Sequence, residues 1–291
     1  MNFGSVFNYG PREVLSKWAR GAEEPKHIQK YVEVTNTAQR KQFGDSPARI
    51  FSQRLLCAVL FLLLATVVPA SAQQKNFAGD VFTAQGGDIR ITFIGHGTLM
   101  ISYAGKVIHV DPVSMYADYA TLPKADIILV THEHGDHLDS KAIQALMTSR
   151  TTVIANQASA KNLDKAVVMK NGDTRSLDGI TIEAVPAYNP EKQFHPRGNG
   201  NGYVLTMGGM RVFVAGDTEN VPEIKALKDI DIAFLPMNLP FTMTPEQVAD
   251  TARAMRPKIL YPYHFGETDT NELVRLMEGE KGIEVRIRDM K

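Results

Sequence analysis

Residues 131–137 read Thr-His-Glu-His-Gly-Asp-His, which puts three imidazoles and the Asp136 carboxylate, with Glu133 among them, within a single short turn of chain. Packed together in a core, these groups would be costly to desolvate without partners. A divalent cation is the partner that suits them, because imidazole and carboxylate are the ligands of open catalytic zinc sites. In extended backbone, side chains two apart share a face, so His132 and His134 can meet one ion, while Asp136 and His137 turn toward a second position. The only cysteine, Cys57, lies far upstream, so sulfur takes no part in this chemistry and no disulfide can form within the chain.

Such a block needs a rigid mount. It comes directly after Ala125–Val130, a continuous apolar run that reads as a buried strand. Before it, Ile89–Ile94, Leu99–Tyr103 and Lys106–Val110 are short runs separated by glycine turns, the pattern of a meander. After it, Asp139 and Ser140 are good caps for a helix over Ser140–Ser149. Further strands are expected at Thr152–Ala155, Ile180–Val185, Tyr203–Met207, Met210–Ala215, Ile232–Pro236, Ile259–Tyr263 and Ile283–Ile287, interleaved with helices. The best-marked helix has Thr244 as cap, Pro245 in its first position and Gln247 completing a capping box. In both halves strands come first without helices and then alternate with them, an order that two sheets covered by outer helices satisfy.

The histidine block resembles the His-x-His-x-Asp-His signature of the metallo-β-lactamase superfamily, and later motifs extend the resemblance across residues 88–291. The resemblance implies an α/β fold, a four-layer αβ/βα sandwich with the metals at one edge of the paired sheets. His195, in Gln-Phe-His-Pro-Arg, is similar to the third histidine of the first metal site. Asp217, in Val-Ala-Gly-Asp-Thr, resembles the bridging aspartate, and His264, in Tyr-Pro-Tyr-His-Phe, the last histidine. The resemblance thus implies one metal on His132, His134 and His195, another on Asp136, His137 and His264, and Asp217 between them. It calls for two divalent ions, Zn²⁺ first, with Mn²⁺ or Fe²⁺ as alternatives. Two such ions lower the pKa of a shared water, and the hydroxide would attack an ester, lactone or phosphodiester. Asp136 would orient or deprotonate that nucleophile.

His96, in Ile-Gly-His-Gly-Thr, falls at a strand-to-strand turn and is a candidate for proton handling, with a structural turn as the alternative. Leu138-Asp139-Ser140 after the block resembles the branch of sugar-lactone hydrolases and phospholipid-cleaving phosphodiesterases, which implies a small-molecule or lipid-like substrate. The lack of any cysteine after residue 57 disfavours a β-lactamase-type amide hydrolase. A catalytically silent metal- or ligand-binding protein is the alternative from a different class. His109 reads as packed in its strand, and Asp111 and Asp139 as hydrogen-bond partners that orient a ligand or loop. Gly198-Asn199-Gly200-Asn201-Gly202 reads as a flexible turn entering the strand at 203–207, with a pocket wall beside His195 as the alternative. Arg197 is either an anion contact or solvated, and Asn238, Phe241 and Thr242 are candidates to line the cleft.

Lys+Arg and Asp+Glu each number 32, and beyond residue 72 they are 23 and 27, a net of about −4 that argues against a nucleic-acid footprint. Residues 55–68 are uncharged and apolar, preceded by Arg49 and Arg54 and followed by Pro69-Ala70-Ser71-Ala72. A basic flank, a short apolar run and an Ala-x-Ala pattern make a secretory signal, shorter than the roughly 20 residues of a spanning helix. The expected organisation is an N-terminal extension at 1–54 (a gene-start artefact or a cytoplasmic extension), a signal-peptide-like segment at 55–72, and a hydrolase domain at 73–291. The expected location is periplasmic or secreted, with no stable membrane span after cleavage and an anchor if the segment is kept.

Overall fold

A computed structural model describes residues 76–291. The extension at 1–54 and the signal-like segment at 55–72 lie outside the described residues.

Two seven-stranded sheets are formed in sequence order. The first contains β1 (Gly79–Ala84), β2 (Gly87–Gly95), β3 (Thr98–Tyr103), β4 (Lys106–Val110), β5 (Ile127–Val130), β6 (Thr152–Ala155) and β7 (Ala166–Val168). The second contains β8 (Thr174–Leu177), β9 (Ile180–Ala187), β10 (Gly200–Met207), β11 (Met210–Val214), β12 (Ile232–Pro236), β13 (Ile259–Tyr263) and β14 (Glu284–Val285). Both share one plan. The first four strands pair antiparallel and the last four parallel. Antiparallel neighbours need only tight turns, whereas parallel ones need crossovers. The helices accordingly fall in the parallel parts: α1 (Ser140–Leu146), α2 (Gln157–Ala160), α3 (Pro222–Lys225), α4 (Pro245–Met255) and α5 (Thr270–Leu276).

The apolar run of β5 is continuous because both of its faces are covered. Ile127 and Leu129 join Phe93, Tyr203 and Phe213 in the core between the sheets. Ile128 and Val130 point the other way, into a second cluster with Ala142, Ile143 and Leu146 of α1. On the second sheet, α4 lays Val248, Ala249, Ala252 and Met255 into the main core, the spacing of one helical face. Its Thr244–Gln247 capping box is formed in both directions. Helix, sheet, sheet and helix therefore stack as the expected four-layer sandwich.

The differences from expectation are local. β1, β7 and β8 carry no clear sequence signal, α1 stops at Leu146, and the last strand shrinks to Glu284–Val285. The glycine-rich stretch is no flexible turn from Gly200 onward, since β10 already begins there. Gly200 and Gly202 are required by crowding. A Cβ on Gly200 would stand 2.8 Å from Ala187 O, and one on Gly202 2.7 Å from Ala215 O.

Candidate metal centre

β4 and β5 run parallel, as do β11, β12 and β13, so the carboxyl ends of these strands open on a common edge of each sheet. Asp111 follows β4, the histidine block follows β5, Asp217 follows β11, Asn238 follows β12 and His264 follows β13. Crevices at such strand ends are where α/β sheets bind ligands. His96 comes from the β2–β3 turn and His195 from the β9–β10 loop. His96, Asp111 and His264 all have left-handed backbone, with φ of 53°, 44° and 46°. Such conformations cost on the order of 1–3 kcal/mol each and gather where side chains must be aimed.

The donors meet at short range. His132 Nε2 lies 3.0 Å from His134 Nδ1, and His132, His134 and His195 form one group of mutually close donors. His195 Nε2 and His132 Nε2 stand 3.2 and 3.9 Å from Asp217 Oδ2. On the other side, Asp217 Oδ1 lies 3.4 Å from His137 Nε2 and 3.5 Å from His264 Nε2. Those two ring nitrogens are 3.0 Å apart, and Asp136 Oδ2 stands 3.8 and 3.4 Å from them. Donors 2.0–2.1 Å from a tetrahedral zinc are about 3.4 Å from one another, which is the spacing seen here. Asp217 Oδ1 is buried with no hydrogen-bond donor, an arrangement that is costly unless a cation faces it. The donor set therefore fits divalent cations.

His96 joins the same centre. Its Nε2 lies 3.4 Å from Asp136 Oδ2, its ring centroid is 3.7 Å from that of His264, and Tyr116 stacks on it at 5.5 Å. Asp136, His264 and His96 thus form a group of close donors, in the place where the sequence points to His137. His137 is also within reach of Asp136 and His264, and groups closely with His132 and Asp217.

Partners behind the donors fix the rings. Asp111 Oδ2 accepts from His137 Nδ1 at 2.7 Å, leaving Nε2 for the centre. Asn189 Oδ1 accepts from His195 Nδ1 at 2.6 Å and from its backbone N–H at 3.1 Å. Thr131 Oγ1 lies 3.1 Å from His132 Nδ1 and donates to Asp111 at 2.6 Å. Orienting partners of this kind set ring direction and basicity. The same surroundings set the charges. Burial, joined by the field of His137, holds His132 well below the usual imidazole range, so its ring stays neutral, the form that can ligate a metal. Burial opposes a proton on His137, but the carboxylates of Asp217 and Asp111 overcome it and push the group well above its usual range. A cation at Nε2 would take the place of that proton. Burial likewise opposes ionisation of Asp136, yet hydrogen bonds from His264 and His96 hold its carboxyl well below the usual range.

A cleft of about 230 Å³ opens over these groups, with His134, His195, Asp217 and His264 as its floor. Phe194, Asn238 and Phe241 form a wall. Thr242 lies behind that wall, its hydroxyl accepting from Asn238 N at 2.7 Å. Arg197 turns away to Glu223 at 2.7 Å and lies over Tyr188, so it is not an anion contact here. Asp139 caps α1 and accepts from Ser114 N at 2.8 Å. His109 is packed, with Nε2 at 3.1 Å from Pro123 O. Sequence reasoning passed over Glu133, Asn189, Phe194 and Tyr116. Glu133 lies inside the block and accepts from Asn199 at 2.6 Å and Asn156 at 3.3 Å, tying β5 and β6 to the start of β10. Nothing local marks Asn189, whose partner stands six residues along a loop.

Residues 90–264 match a family model described as a beta-lactamase superfamily domain. A UPF0173 metal-dependent hydrolase from Thermococcus kodakarensis is 31% identical over 212 residues, spanning 66% of this chain and 93% of its own. A crystal structure from Parabacteroides distasonis, assigned as a metal-dependent hydrolase, is 57% identical with a TM-score of 0.72, covering 74% of this chain and all of that one. A metallo hydrolase from Ignicoccus hospitalis shares the fold at 22% identity and a TM-score of 0.60, covering 69% and 95% of the two chains.

Proposed function

Because the chain belongs to the metallo-β-lactamase superfamily and is a metal-dependent hydrolase, we propose that its centre is dinuclear. His132, His134 and His195 would hold one divalent ion and Asp136, His137 and His264 the other, with Asp217 placed between the two sets. The observation that carries this reading is the two-sided Asp217: Oδ2 faces His132 and His195, and Oδ1 faces His137 and His264. When bound, such ions acidify water and polarise the bond to be cleaved. The residues of the chain supply the rest. Asp136, ionised and half-exposed at the cleft, orients the attacking water and accepts its proton. His96, 3.4 Å from Asp136, relays that proton toward the leaving group. Asp111 and Asn189 keep His137 and His195 in the ligating orientation.

The substrate is a small-molecule or lipid-like ester, lactone or phosphodiester, and the native ions are Zn²⁺, with Mn²⁺ and Fe²⁺ as the competitors. The signal-like segment supports a periplasmic or secreted protein, and a native N-terminus near Gln73 would bear that out. Lactone, phosphodiester and β-lactam substrates, assayed with and without chelator alongside metal analysis, test the whole reading. His132→Ala should lose both metal and hydrolysis. Full activity with undiminished metal would refute the ligand set, and metal binding without turnover of any class would favour a silent binding protein.

A further inference from the structure

Burial in this domain is thorough, and the exceptions are concentrated. Of the six exposed large apolar side chains among the described residues, Phe194, Leu239 and Phe241 lie on the two loops that wall the cleft. Exposed apolar surface beside a cleft marks a binding function more often than chance. Phe194 and Phe241 meet edge to face, their centroids 5.0 Å apart, yet each is about two-fifths exposed (42% and 41%). The loops that carry them are pinned to each other. Asn189, which orients His195, donates to Phe241 O at 3.1 Å, and Lys192 donates to Thr242 O at 2.9 Å. The aromatic surface is therefore held open and in fixed relation to the centre.

Charge narrows the ligand further. The lining of the cleft contains the carboxylates of Asp136 and Asp217 but no lysine or arginine. The nearby cations are committed elsewhere, Lys192 to Glu219 at 2.7 Å and Arg197 to Glu223 at 2.7 Å. An anionic group away from the reacting centre would find no charge-assisted partner. The polar handle on the wall is neutral. It is the side-chain amide of Asn238, backed by Gly266, where a Cβ would come within 2.6 Å of its Oδ1.

We infer that Phe194 and Phe241 are the specificity wall for an apolar, uncharged group, and that the preferred substrates are neutral carboxylic esters or lactones bearing an alkyl or aryl substituent. This rests on the metal-dependent hydrolase reading above. In the reaction the acyl carbon–oxygen bond breaks and the acyl group takes the oxygen of water. Of the two water protons, one goes to the departing alcohol and one to solution.

The test uses the full chain with p-nitrophenyl acetate, butyrate and octanoate, and with bis(p-nitrophenyl) phosphate. Calorimetric binding of acetate and hexanoate gives a readout that does not depend on turnover. Each methylene that reaches the wall should add about fourfold in kcat/KM or affinity, so butyrate should exceed acetate by roughly fifteenfold. The double variant Phe194→Ala/Phe241→Ala should lose most of this gradient, and Phe241→Leu should keep it. A flat gradient in the parent protein, hexanoate binding no tighter than acetate, an unchanged gradient in the double variant, or preference for the phosphodiester would each overturn the assignment. Chelator-sensitive hydrolysis with no dependence on chain length sinks the wall alone. Hydrolysis that survives complete removal of metal sinks the metal-dependent reading beneath it.

Discussion

Gly97→Ala isolates the placement of one ring. Gly97 has ordinary backbone, so alanine meets no conformational barrier there, but its methyl would stand 2.9 Å from His137 Cε1 and 3.3 Å from Nδ1. On its other side it would be 3.4 Å from His264 Cδ2. Carbon atoms rest at about 3.5–4.0 Å, so the His137 ring must retreat by roughly 0.6 Å or more. It has nowhere to go: the ring is fully buried and tied to Asp111 at 2.7 Å. Ligand distances in metal sites are tolerant to only about ±0.2 Å, so the displacement is about three times what the proposed second ion accepts. Changes to groups behind a ligand lower affinity by about 10–100-fold, and moving a ligand itself should do at least as much. Overpacking should lower stability by about 1–3 kcal/mol, leaving a folded chain. Competition with a chromophoric chelator measures the affinity, metal analysis the occupancy, and thermal melting the fold. Gly135→Ala is the control, because its Cβ meets nothing within 4 Å although it sits within the histidine block. A folded Gly97→Ala protein with unchanged metal affinity and turnover would refute the claim that His137 must stand where it does.

Buried groups give two further outcomes. Asp111 accepts from Thr131 N at 2.8 Å, Thr131 Oγ1 at 2.6 Å and His137 Nδ1 at 2.7 Å. Asp111→Asn offers one oxygen and turns an amide N–H₂ toward a donor. It should cost about 1–3 kcal/mol and lower metal affinity by about 10–100-fold, without added backbone strain, since asparagine accepts positive φ. Unchanged chelator competition would argue against the orienting role. Burial pushes His109 down to about 4. Between pH 6.5 and 4 the unfolded chain therefore takes up a proton that the folded one refuses, and about 3 kcal/mol of stability is lost as pH falls through that window. Denaturant melts of chelated protein at pH 7 and 4.5 should show this loss, and His109→Leu should remove it; equal pH slopes for the two proteins would disprove it.

Much of the architecture could be read because its signals are local. β5 announces itself as an apolar run, the helix at 245 as a capping box, and the histidine block as a cluster with no bland explanation. The missed strands lack such marks. β8 is Thr-Arg-Ser-Leu with three exposed residues, and β7 is three partly buried residues. Both exist through pairing with a neighbour, which no short window of sequence contains. The same holds at the centre. His96 is a turn residue in the sequence and becomes a neighbour of Asp136 and His264 only when β2 and β13 are brought together. Glu133 and Asn199 are separated by 66 residues yet share a 2.6 Å hydrogen bond. The glycines at 200 and 202 show the converse error: turn-forming composition, used instead to let strands approach.

The position of Asp217 has a consequence for assembly. In the proposed set, each ion takes ligands from both halves of the chain, His132 with His195 on one side and His137 with His264 on the other. Neither half holds a complete ligand set by itself, so full loading would wait until the two sheets have docked. Once bound, the ions act as rivets across that seam. A ligand that binds only the assembled form stabilises it by about 2.7 kcal/mol at a hundred times its dissociation constant. The melting temperature of this domain should then track free metal, and scarcity would first be felt as a loosening between the sheets.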